Sequence, residues 1–254
     1  MRSGFDASLA ETRTPDEIDA LRRQIRERTL AEAPNIREPQ FLHISARDLR
    51  FVFDSYDGLF FGSLIALELA GRELKFRIST RSTRRGGALR IWKTRETADG
   101  EHRPEHYELS VSATLLFESF DDDGRPITIV GRECADRLDA LQRIVEHETI
   151  HLVEQLRYRE TSCAGPRFQS MARRLFEHTQ HQHGLVTPRE RAAQRGLEPG
   201  RRVAFDFQGE RLEGILSRVT RRATVLVPHP NGRMMSDGNA YQQFYVPLER
   251  LMPC

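Results

Sequence analysis

Residues 135–158 read ADRLDALQRIVEHETIHLVEQLRY, a stretch without Gly or Pro that decides the fold. Leu138, Leu141, Val145, Leu152 and Leu156 recur every three, four or seven residues, so this segment predicts the strongest helix of the chain. In its middle stands His147-Glu148-Thr149-Ile150-His151. Residues four apart share one helix face, roughly 6 Å apart along the axis, so both imidazoles can reach one cation. Glu148 projects about 100° away around the helix, beside that cation rather than onto it. Two histidines at this spacing ligate zinc, and the glutamate between them moves protons for hydrolysis. As plain helix-surface residues the pair would sit unpartnered among apolar neighbours, which is costly.

A catalytic zinc takes three protein ligands and keeps one position open for water. Glu154 lies on nearly the face of His147 but a turn or so beyond the metal, and reads as a supporting or solvent-facing group. Cys163, in the loop just past the helix, is one candidate for the third ligand; His178, near His181 and His183, is the other. A lone cysteine is otherwise a small buried hydrophobe, and a histidine-rich helix end otherwise complements the helix dipole.

Outward from this helix, Pro166 opens another, with Phe168, Met171, Ala172, Leu175 and Phe176 on one face. Upstream, Leu74, Phe76 and Ile78 alternate with polar residues and predict a half-buried strand. Leu89 and Ile91 predict a second, and Tyr107, Leu109 and Val111 a third, with a polar turn from Thr94 to His106 marked by Asp99-Gly100 and Pro104. Phe41 to about Tyr56 reads as a helix, followed at Gly58 by a buried aromatic turn, Leu59-Phe60-Phe61-Gly62. Thr14-Pro15-Asp16-Glu17 starts a helical arm carrying Ile18, Leu21 and Ile25, broken at Pro34 and Pro39. That arm either packs on the main domain or extends into solvent.

After Gly184 the pattern changes. Thr187-Pro188-Arg189-Glu190 opens a short charged helix, and Gly196 and Pro199-Gly200 punctuate a boundary. Val203, Phe205 and Phe207, then Ile215 and Val219, Val225 and Val227, and Phe244 and Val246 mark short strands separated by turns. So many strands in so short a stretch predict a small SH3-like barrel. The expected organisation is a helical arm over 1–40, a main domain over 41–186, and a linker helix with the barrel over 187–254.

The net charge of the 254 residues is only +2, which gives no global case for nucleic-acid or membrane binding. No apolar run nears the roughly 20 residues that span a bilayer. The opening MRSGFDASLAETRTPDE lacks the apolar segment of a secretory signal, so a cytoplasmic protein is expected. Cys134, Cys163 and Cys254 form no CxxC pair, which argues against a disulfide framework or a zinc ribbon.

Between about Phe41 and His183 the chain resembles the SprT-like (Spartan-type) metallopeptidases. The resemblance rests on Tyr56-Asp57-Gly58-Leu59-Phe60-Phe61, the strand Phe76-Arg77-Ile78-Ser79, the His147–His151 motif and Gly165-Pro166-Arg167-Phe168. It implies an α+β, zincin-like metallopeptidase domain, Zn²⁺ on His147 and His151, Glu148 as base, and a protein or peptide substrate. The family's third histidine precedes a G-x-x-F pattern; here Gly165 and Phe168 match, but Ala164 stands at the histidine position. Cys163, one residue away, is the favoured substitute, with His178 next. In the barrel, Arg218, Arg221, Arg222 and Tyr241 are candidate nucleic-acid contacts, meeting phosphates and a stacked base. The alternative to an endopeptidase is a non-catalytic zinc protein that recognises nucleic acid or protein through the barrel.

Overall fold

The computed structural model describes residues 2–93, 95–96, 102–103, 105–120 and 125–254. It is mixed α+β and divides into two compact units, Met1–Leu185 and Val186–Cys254. No helix among the described residues is long and apolar enough to cross a membrane.

The first unit opens with α1 (Arg2–Ala10) and α2 (Pro15–Glu32). Thr14 and Glu17 form a reciprocal capping box at the start of α2, which buries Ile18, Arg22, Ile25 and Thr29. The arm is therefore packed into the first unit. Helix α3 runs over Ala46–Phe61, started by a second capping box, Ser45 with Asp48. It differs from the sequence reading at both ends. The Ser45 box sets the start later than Phe41, and Gly58 is carried inside the helix. Leu59, Phe60 and Phe61 are thus helical, and the left-handed residue that ends the helix is Gly62, at φ 60°. A short α4 (Leu64–Leu69) follows.

Strand β1 is Leu74–Ser79 and β2 is Gly87–Trp92. The short pair β3 (Arg95–Glu96) and β4 (His102–Arg103) is antiparallel. The expected turn residues Asp99-Gly100 and Pro104 lie outside the described residues. Strand β5 (His106–Ser112) completes a sheet of order β1-β5-β2, with β1 parallel and β2 antiparallel to β5. Then come α5 (Ala113–Glu118) and a hairpin of β6 (Ile127–Ile129) and β7 (Arg132–Cys134), absent from the sequence reading.

The central element is α6 (Arg137–Tyr158), N-capped by Asp136. It is buried around most of its circumference. Leu138, Leu141, Val145 and Leu152 are fully enclosed, each contributing roughly 1.5–3 kcal/mol by burial. Many of its polar residues are buried too, and a buried polar group ordinarily needs a partner. Glu146 finds four. It accepts from Arg22 Nε at 2.8 Å, Arg143 Nη1 at 3.0 Å and the Tyr56 hydroxyl at 2.7 Å, and meets His178 Nε2 at 2.8 Å. Burial pushes the Glu146 carboxyl up, but Arg143 and Arg22 outweigh it and hold it well below the carboxylate range. Helix α7 (Pro166–Phe176) buries the face expected for it.

The second unit contains α8 (Pro188–Gln194), β8 (Arg202–Phe207), β9 (Glu210–Val219), β10 (Ala223–Met234), β11 (Ala240–Val246), a 3-10 turn at Leu248–Arg250 and β12 (Met252–Pro253). The strands form one antiparallel sheet of order β11-β10-β9-β8-β12 around Val203, Phe205, Leu216, Val225 and Val246.

Candidate metal centre

Helix α6 presents His147 and His151 side by side, ring centroids 4.9 Å apart, into a cleft of about 480 Å³. The loop after α6 returns Cys163 to them. One donor atom from each of the three residues lies within 4.8 Å of the others, a group that could hold a metal ion. Among the described residues the group has these three members and no fourth.

The ring of Phe168, on α7, packs against both imidazoles, at 5.0 Å from His147 and 4.5 Å from His151. His151 Nδ1 lies 2.6 Å from the Thr161 hydroxyl, which leaves Nε2 for the cleft. Burial lowers the pKa of His147 to about 2 and of His151 to about 4, so both rings stay neutral at physiological pH. Neutral imidazole is the form that ligates metals.

Glu148 faces strand β2 rather than the two histidines, as its place on the helix requires. Burial pushes its carboxyl up to about 8, against the opposing pull of the Leu89 N–H and of Arg85. The contact depends on Gly87: a Cβ there would sit 2.7 Å from Glu148 Oε1. Glu148 Oε2 and His147 Nδ1 are both buried without a hydrogen-bond partner.

Glu154 is neither ligand nor solvent-facing. It is buried, and its carboxylate accepts from the Ser162 N–H at 3.1 Å and from Arg167 Nε at 2.8 Å, which anchors the loop bearing Cys163. His178 is not in the group: it is buried with Nε2 on Glu146. His181 and His183 line the cleft, and His183 Nε2 is bound to the Arg84 carbonyl at 2.9 Å. Thr161, Phe168 and Gly87 were not assigned site roles from the sequence; the Gly86-Gly87 pair was a readable sign of close backbone approach.

In the second unit, Arg218 and Tyr245 both pair with Thr224 and share a row of the sheet, Tyr245 being 64% exposed. Arg221 and Arg222 are exposed in the adjoining turn. Tyr241 is not with them. It lies four residues along β11, about 13 Å away, is buried, and donates its hydroxyl to Asp237 at 2.8 Å. Its pairing with Asp237 withdraws it from any stacking platform.

A scan against protein-family models finds no match, and searches of the curated proteins and of the solved structures return no significant match.

Proposed function

We propose that the chain is a zinc-dependent endopeptidase of the SprT-like type, with a zincin-like catalytic domain and an SH3-like barrel, cleaving protein substrates in the cytoplasm. The observation that carries this reading is the convergence of His147, His151 and Cys163 beside the buried, partly unpartnered Glu148 in an open cleft. Two imidazoles and a thiolate suit zinc. The two orphaned polar atoms fit a site that receives a hydrated cation. Three ligands among the described residues suit a catalytic site, which keeps a position open for water.

A bound zinc would supply Lewis-acid polarisation and a more acidic water. The protein's own residues do the rest. Glu148 takes the proton of the attacking water and delivers it to the leaving amine, a task suited to a carboxyl with pKa near neutrality. Strand β2 is an edge of its sheet, so its free backbone groups can pair with an extended peptide beside Glu148.

The test is cleavage of unfolded casein by zinc-loaded protein, with Glu148→Gln as control. The variant is expected to keep its zinc and lose activity by about 10²–10⁴-fold. No cleavage by the zinc-loaded wild type, or an active Glu148→Gln, contradicts the proposal.

A further inference from the structure

The three-stranded sheet has two unlike faces. Phe76, Ile78, Leu109, Val111 and Leu89 face inward, and the alternation of the strands puts Arg77, Ser79, Ser110, Ala88 and Arg90 on the other side. That outer face holds a concavity of about 430 Å³ whose charged lining is entirely cationic: Arg77, Arg81, Arg85 and Arg90. Of the acids near them among the described residues, Glu108 is already engaged by Arg77 Nε at 2.8 Å and Arg90 Nη1 at 3.8 Å, and the buried Glu148 feels the charge of Arg85 from the metal cleft. Arg81 and Arg85 are exposed, and neither forms an ion pair among the described residues.

Hydroxyls fix the backbone that carries these two arginines. Ser79 Oγ accepts from the N–H of Arg81 at 3.4 Å and of Ser82 at 3.2 Å. Ser82 Oγ donates to the Arg85 carbonyl, and Ser112 Oγ to the Ser82 carbonyl, each at 2.8 Å. Thr114 Oγ1 donates to the Thr80 carbonyl at 3.0 Å. A loop with two unpaired guanidiniums is thus pinned to the sheet, which lowers the ordering cost of binding.

The concavity and the metal cleft share Arg85, Gly87, Ala88 and Leu89, so β2 is the partition between them. A peptide lying along the free edge of β2 presents successive side chains to opposite faces. One set enters the metal cleft, and the neighbouring set meets the arginines.

We propose that this concavity is a specificity subsite for acidic side chains of the substrate, so that the enzyme selects acidic segments. The inference rests on the peptidase reading. It favours a peptide over a nucleic acid because the arginines surround a side-chain-sized hollow on one side of a strand edge, whereas a phosphate backbone needs an extended cationic track.

The experiment uses full-length, zinc-loaded Glu148→Gln protein and three fluorescent probes: an extended peptide rich in glutamate, its glutamine counterpart, and a single-stranded oligodeoxynucleotide. The glutamate peptide is expected to bind at least about tenfold more tightly than the glutamine peptide. That ratio should collapse in the Arg81→Ser/Arg85→Ser double variant and persist in Arg221→Ser, which lies in the other unit. Equal binding of the two peptides, or a ratio unchanged in the double variant, overturns the proposal. An oligonucleotide that binds more tightly than either peptide through the same arginines overturns it in favour of a nucleic-acid surface. A map of wild-type cleavage sites separates the two claims. Charge selectivity without cleavage removes the peptidase and keeps the anion site; cleavage without acidic preference does the reverse.

Discussion

Glu154 Oε2 accepts the backbone N–H of Ser162 at 3.1 Å, and this bond ties the end of α6 to the loop that carries Cys163. The same carboxylate holds Arg167 Nε at 2.8 Å, at the start of α7. Two elements that frame the metal group are therefore registered by one buried acid. Glu154→Ala is expected to weaken metal binding by about 10–100-fold, with Glu154→Gln intermediate because its amide oxygen can still accept from Ser162. In the cobalt form, the cobalt–thiolate absorption should weaken in step. A purely structural role would lower the melting temperature and leave that band intact.

The Glu146 cluster predicts a different loss. Arg22 brings a charge from the N-terminal arm to a fully buried carboxylate, so deleting it leaves that carboxylate with Arg143 as its one remaining guanidinium among the described residues. Arg22→Met should cost about 3–5 kcal/mol of unfolding free energy in urea titration. A cost below about 1 kcal/mol, the scale of an exposed pair, would show that the arm is not integral to the domain.

These contacts explain what could and could not be read from the sequence. The His147–His151 spacing, the buried face of α7 and the alternation of β1, β2 and β5 are local patterns, and each is found where its periodicity put it. Three of the four partners of Glu146, namely Arg22, Tyr56 and His178, are separated from it by 32 to 124 residues. No local pattern reports such a cluster, and it is what takes His178 out of the ligand set. Of the two roles open to Glu154, supporting or solvent-facing, it takes the first; its direction along the helix was legible, but the path of the loop back to Ser162 was not. The extent of α3 was legible and missed, since Ser45-Ala46-Arg47-Asp48 is itself a capping signature.

Gly87 couples the sheet to the proposed base. An added Cβ would lie 2.6 Å from Ile144 Cγ2 and 2.7 Å from Glu148 Oε1, so β2 must retreat or the carboxylate must turn. Gly87→Ala should lower casein cleavage by about 100-fold with metal content unchanged. Full activity in this variant would show that Glu148 does not depend on the close approach.

Acid lability follows from Asp48. Burial pushes its carboxyl up, but bonds from Asn35 and Ser45 outweigh burial and leave it below the ordinary value. A carboxyl whose pKa is depressed by folding contributes stability above its unfolded value, near 4. That contribution is lost as pH falls through the lower folded value. Unfolding free energy measured from pH 7 downward should therefore drop below about pH 4, and Asp48→Asn should make the drop shallower. An identical acid profile in the variant would remove Asp48 from the account.

The most direct test of the central claim is metal stoichiometry and spectroscopy on wild type and Cys163→Ser, reconstituted identically with zinc and with cobalt. The account predicts one metal per chain in the wild type, a cobalt–thiolate band, and loss of that band with much weaker binding in Cys163→Ser. A wild type that holds no metal after reconstitution, or a Cys163→Ser protein with unchanged affinity and spectrum, would contradict it.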